Sequence, residues 1–132
     1  TRPMLPPIDH DHLLARAPES TVSLDRGMIC IVIPSFSLPA GFTQASADLL
    51  LRLSPGYPDI PPDMWWFSPV VRRIDGKPIA ATQVQESYLG RNWQRWSRHL
   101  NSGQWRSGID SLESYLALVR KELEAAARSL AA

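Results

Sequence analysis

Twelve prolines in 132 residues constrain this chain more than any other feature. Each fixes its own φ, removes a backbone donor and pushes the preceding residue out of the helical region. The last of them is Pro78, so a long helix is expected only near the C-terminus. Four of the first eighteen residues are proline (Pro3, Pro6, Pro7 and Pro18), which leaves D-H-D-H-L-L-A-R-A room for about two helical turns. There Asp9 is expected to cap the helix, and Leu13 and Leu14 to pack inward. His10 and His12 diverge on a helix, so no metal site is expected there.

Between the prolines the pattern is that of short strands. M-I-C-I-V-I, residues 28–33, is β-branched and apolar and stops at Pro34. A-D-L-L-L-R-L, residues 47–53, and D-M-W-W-F-S, residues 63–68, follow, with a weaker strand at T-V-S-L, residues 21–24. Loops of a few residues between strands suggest an antiparallel meander, and Asp75-Gly76 offers a hairpin turn. After the last proline the period changes to that of a helix. Ser107 with Asp110 has capping-box spacing, while Ile109, Leu112, Leu116, Val119 and Leu123 repeat on one face. Glu113, Arg120, Lys121 and Glu124 occupy the other face. Strands followed by a helix, without βαβ alternation, give an α+β domain. The expected architecture is an antiparallel four-stranded β-meander packed against a C-terminal helix, with a short N-terminal helix. One domain over residues 1–132 is expected, with 1–8 flexible.

Composition excludes more than it assigns. Fourteen basic against thirteen acidic residues leave a net charge of +1, which argues against nucleic acid or a membrane surface as partner. A single cysteine, Cys30, excludes an internal disulfide and any multi-cysteine metal site, and its apolar neighbours mark it as a buried, inert thiol. No apolar run is long enough to span a membrane and no signal peptide opens the chain, so a cytoplasmic setting is expected. No cofactor and no metal are expected.

The concentrated chemistry lies in N-W-Q-R-W-S-R-H-L-N-S-G-Q-W, Asn92 to Trp105, which holds three of the five tryptophans beside Ser97 and His99. Residues two apart share a side in an extended segment, where His99 could serve Ser97 as a base; in a helix they diverge, and Ser97 becomes a cap. Both readings are open at this level, as is a hydrolase, for which no third triad member is identifiable.

Upstream, S-P-G-Y-P-D-I-P-P-D-M-W-W-F, residues 54–67, sets a stiff loop before an aromatic strand. This arrangement resembles the ubiquitin-conjugating (E2, UBC-like) family, whose meander carries Y-P-x-x-P-P between its third and fourth strands. In that family the catalytic cysteine precedes a tryptophan by eight residues; here Ser97 stands eight residues before Trp105. L-L-L-R-L-x-P-G-Y-P-D-x-P-P-D-M together with W-S-R-H-L looks more narrowly like a prokaryotic E2-like family lacking the catalytic cysteine. Relative to eukaryotic E2s the H-P-N tripeptide is also missing, and the interval from Tyr57 to Ser97 is longer.

The resemblance implies a UBC-like fold and a carrier of a ubiquitin-like modifier in a bacterial conjugation pathway, with an E1-like activating enzyme and the modifier as partners. It implies an acyl-accepting Ser97 assisted by His99, forming an oxyester. Asn92 and Asn101 become candidates for the missing oxyanion asparagine. Partner contacts are implied for Tyr57, Pro58, Pro61 and Pro62 of the loop, and for Trp93, Arg95, Trp96, Arg98 and Trp105. A catalytically inactive adaptor that only binds the modifier or its E1 is the alternative.

Overall fold

The structure is a computed structural model that describes residues 5–101 and 103–128. Its elements run α1 (Pro7–Arg16), β1 (Thr21–Asp25), β2 (Met28–Ser37), β3 (Ser46–Leu53), β4 (Trp65–Ser68), β5 (Gln85–Tyr88), β6 (Arg91–Trp96) and α2 (Leu112–Arg128). All strand pairs are antiparallel, in the order β1-β2-β3-β4-β6-β5. The first four form the expected meander, but the sheet has six strands, not four. The additional pair arises because E-S-Y and N-W-Q-R-W flank Leu89-Gly90, whose φ values of 54° and 77° suit a two-residue hairpin. The hairpin expected at Asp75-Gly76 is not formed. That dipeptide is a turn whose Asp75 is claimed by the buried Arg73 at 2.6 and 3.0 Å, and Arg73 also donates to the Ala126 carbonyl near the end of α2.

Strand β2 runs through Pro34 rather than stopping there. A bulge between Ile33 and Phe36 absorbs the proline, with Ser35 at φ 53° and its N–H on Asp48. The apolar runs of β2 and β3 are continuous because both faces of the sheet are covered. Ile29, Ile31, Ile33, Leu49, Leu51, Leu53, Trp65, Phe67 and Trp96 face the helices, and Cys30, Leu50, Trp66 and Trp93 form a second apolar layer on the outer face. Arginines lie across that outer layer: Arg52 stands 4.0 Å from the Tyr88 ring centroid and Arg91 4.4 Å from that of Trp93.

The helices also depart from expectation. Leu13 is buried but Leu14 is exposed. Asp9 does not cap its own helix; only 1% exposed, it accepts the Leu112 N–H of α2 at 2.9 Å. Helix α2 starts at Leu112, beyond the Ser107–Asp110 pair, because Asp110 turns back to the Arg106 N–H and Ser107 donates to Asp59. Ser111 and Ser114 exchange bonds at its start instead. Leu112, Leu116, Val119 and Leu123 are buried as the repeat required, while Ile109 lies outside the helix and exposed. Of residues 1–8, 1–4 lie outside the described residues, Leu5 is buried, and Pro7 and Ile8 belong to α1.

Removing the Asp9 carboxylate orphans a buried helix-start N–H. Asp9→Ala is expected to destabilise the fold by about 2 kcal/mol, and Asp9→Asn by less, in urea unfolding. All three tyrosines, Tyr57, Tyr88 and Tyr115, have phenols held above their ordinary value, first by burial. A raised folded-state value contributes stability that is complete below the unfolded value of about 10 and is lost as pH climbs above it. Absorbance at alkaline pH should therefore show Tyr57 and Tyr115 ionising only as the protein unfolds.

Candidate functional site

Two short sequence anchors, the Y-P loop and Trp105, meet in space. Tyr57 is buried, and the Trp105 ring packs 5.9 Å from it while donating its Nε1–H to the Pro58 carbonyl at 2.8 Å. Ser107 reaches Asp59 at 2.6 Å, so the loop and the segment before α2 are joined at three points. Pro62 is buried and Pro61 exposed, which turns Asp63 outward and Trp65 inward. The Tyr57–Pro58 and Ser68–Pro69 peptide bonds are cis. From α2, Tyr115 donates to the Met64 carbonyl at 2.9 Å, and its ring meets Trp105 edge-on.

Strand β6 delivers the tryptophan-rich segment to the same region. Trp93 and Trp96 are 1% and 0% exposed, one on each face of the sheet, which leaves neither ring open to a partner. Alternation along the strand is the cause: positions 93 and 96 fall on opposite apolar layers. Gln94 is buried between them, bonded to both the N–H and the carbonyl of Val71 and to the Trp96 ring. The fixed strand makes Ser97 the first residue past a locked ring.

Ser97 begins no helix, since residues 97–100 have no regular structure. Its N–H bonds the Ala81 carbonyl at 3.0 Å, and its Oγ accepts from Arg95 Nε at 3.0 Å. Arg95 is shared with Glu86 at 3.2 Å. Ser97 is one of the residues lining a groove of about 430 Å³ between the Pro78–Ala81 segment and the last turns of α2; Arg95 is not. A guanidinium on a serine oxygen favours the anionic form, but it carries no acceptor and cannot take the proton.

His99 points elsewhere. Its Nδ1 lies 2.6 Å from Asp63 Oδ1, with both side chains exposed (62% and 58%). A carboxylate only accepts, so Nδ1 donates and Nε2 is left as the open position; no partner bonds Nε2 among the described residues. Asp63 is thus the orienting group absent from the sequence reading. Nothing in the spacing could mark it, as it lies 36 residues away and sits in a loop of its own.

Arg98 stands between the two. Its Nε pairs with Glu122 at 3.2 Å, its NH1 bonds the Ala80 carbonyl at 2.9 Å, and its guanidinium covers Trp96 at 5.0 Å. Arg98 and Glu122 line both the Ser97 groove and a smaller hollow of about 180 Å³ that holds His99 and Asn101. Asn101 stays beside His99, its N–H on Gln104. Asn92 is at the far end of β6, where its side-chain oxygen accepts from Ser87. His99 and Asn101 therefore share one hollow and Ser97 lines another, the two having Arg98 and Glu122 in common, and Asn92 lines neither. Cys30, the chain's one cysteine, is fully buried in β2. Among the described residues no group of three His, Cys, Asp or Glu side chains converges on a metal position, and no helix is long and apolar enough to cross a membrane.

A family model described as prokaryotic E2 family E matches residues 5–126. The chain belongs to that family. The match spans α1 to the last turn of α2, and so includes both anchors and every residue placed around Ser97. No curated protein and no solved structure matches the chain. Membership in an E2-like family links the chain to ubiquitin-like conjugation, with E1-like and ubiquitin-like proteins as the general class of partner.

Because the His99–Asp63 pair is exposed, it contributes little to stability and much to ring orientation. Asp63→Asn is expected to change the unfolding free energy by less than about 0.5 kcal/mol. The ¹⁵N shifts of the ring should nonetheless move from a dominant Nδ1–H tautomer to a mixture. An unchanged ring spectrum would mean that the pair does not orient His99.

Proposed function

We propose that this E2-family chain is an acyl carrier for a ubiquitin-like modifier, taking the activated C-terminal acyl group from an E1-like enzyme as an oxyester on Ser97. The observation that carries this reading is Ser97 itself: its hydroxyl held by a guanidinium, its residue part of the lining of an open groove, in the segment that leads to the Y-P loop. Ser97 Oγ attacks the acyl carbon, the new C–O bond forms and the bond to the activating enzyme breaks. The serine proton must pass to a base, and the displaced group leaves with its electron pair. His99, oriented by Asp63, is the base within the same segment, while Arg95 favours the developing oxygen charge. An oxyester is less reactive toward amines than a thioester, so the later transfer leans on His99 as well. We place partner contacts on the exposed rim of the Y-P loop and on Arg95 and Arg98. A cytoplasmic site of action fits this role.

The adaptor reading keeps one observation in its favour: Ser97 Oγ bonds Arg95 and His99 bonds Asp63, with no hydrogen bond between the two among the described residues. The two readings separate in one experiment. With its cognate E1-like enzyme, ATP and modifier, the carrier forms an adduct that survives a thiol reductant and is cleaved by hydroxylamine. Ser97→Ala should abolish it, and His99→Ala should slow it by about 10²–10⁴-fold. An unchanged adduct on Ser97→Ala would sink the carrier reading; tight binding without any adduct in the wild type would establish the adaptor.

A further inference from the structure

On the side of the molecule away from Ser97, the C-terminal end of α1, the β2 bulge and the middle of α2 enclose a cavity of about 360 Å³. None of its lining residues belongs to the Ser97 groove or the His99 hollow. Its floor is apolar, built from Leu13, Ile33, Phe36 and Leu116, all buried. Its rim is cationic: Arg16 comes from the last turn of α1 and Arg120 from α2.

Among the described residues neither arginine makes an ion pair, and the Arg120 guanidinium lies over the Phe36 ring, 5.2 Å from its centroid. Stacking on a ring fixes a guanidinium in place and leaves its donors free. His12 also lines the cavity, though its buried Nε2 faces the protein rather than the open space. Glu19 on the rim lowers the net charge, so a polyanion is disfavoured.

We propose that this cavity binds a small organic anion: one carboxylate or phosphate group bridging Arg16 and Arg120, with an apolar or aromatic body on the Leu13–Phe36–Leu116 floor. The volume is in the range that encloses ligands of this size, and two guanidinium forks are the usual means of holding such oxyanions. The proposal does not depend on what Ser97 does. A bound ligand would tie α1 to α2 and to the bulge of β2, and so raise the melting temperature by mass action.

The test uses the full chain and three probes: 4-phenylbutyrate, phenyl phosphate and the neutral 4-phenylbutanol. In ¹H–¹⁵N spectra, at least one anionic probe should give saturable shifts centred on residues 16–20 and 35–37, with a dissociation constant on the order of 1 mM. Tighter binding of the carboxylate or of the phosphate identifies which head group the site takes. Arg16→Ala and Arg120→Ala should each weaken binding about tenfold, while Lys121→Ala, next along the exposed face of α2, should not. Both arginines are exposed, so these variants keep the fold, which the spectra themselves verify. The proposal is overturned if neither anion gives saturable shifts at about ten times that concentration, if the neutral alcohol binds as well, or if the arginine variants bind unchanged.

Discussion

One buried carboxylate sets the geometry on which the rest depends. Asp9, from the first turn of α1, takes the first N–H of α2 and thereby decides where that helix begins. Three residues later Tyr115 reaches the Met64 carbonyl, and the Met64 N–H in turn bonds the Arg98 carbonyl. The residues on either side, Asp63 and His99, then face each other across the end of the β4–β6 pair. The loop that presents His99 is therefore positioned from the far end of the chain.

Much of the fold was legible because it rests on local pattern. Apolar β-branched runs became β2 and β3, the 3.6 period after Pro78 became α2, and scattered prolines kept helices to the two ends. What failed rested on a competition that local pattern cannot see. Asp75-Gly76 has ideal turn chemistry, yet Arg73 needed an anionic partner to be buried beside the end of α2 and took Asp75 for it. Asp9, Asp110 and Ser107 all look like caps, and each is spent on a distant or reversed contact instead. Strands β5 and β6 were hidden by composition: Q-E-S-Y and R-N-W-Q-R-W carry too many polar residues to read as strands. They are stable as an edge hairpin because Trp93 and Trp96 supply apolar area on both faces.

At the site, the sequence was informative about location and silent about wiring. Tyr57 and Trp105, 48 positions apart, do meet in one loop cluster joined by Trp105 and Ser107, while Ser97 lies toward the other end of α2, beside residues 78–81 and 122–126. The period of two between Ser97 and His99 placed them on one side only if the segment stayed extended. The chain instead turns at Ser97, where the Arg98 N–H bonds the Trp96 carbonyl at 3.0 Å, and the His99 ring is taken by Asp63. Likewise Asp63 is one of thirteen acidic residues and had no local mark. Only the fold of the Y-P loop turns it toward the imidazole.

The carrier role proposed for Ser97 turns on its proton. A serine hydroxyl must lose its proton as it attacks, and Arg95, which hydrogen-bonds it, has no site to receive it. The adjoining Arg98 is fixed by the Glu122 ion pair, the Ala80 carbonyl and the face of Trp96. A part-buried pair, one hydrogen bond to a charged donor and one cation–π contact together hold it by about 2–4 kcal/mol. That is small against what a protein interface of standard size can supply, and an acidic group on the incoming surface could take the place of Glu122 at little net loss. A serine that is unreactive in the free protein and becomes reactive only when a partner is bound would be protected from idle acylation. A cysteine at the same position would gain no such protection, because its thiolate needs no base to be present when the acyl group arrives.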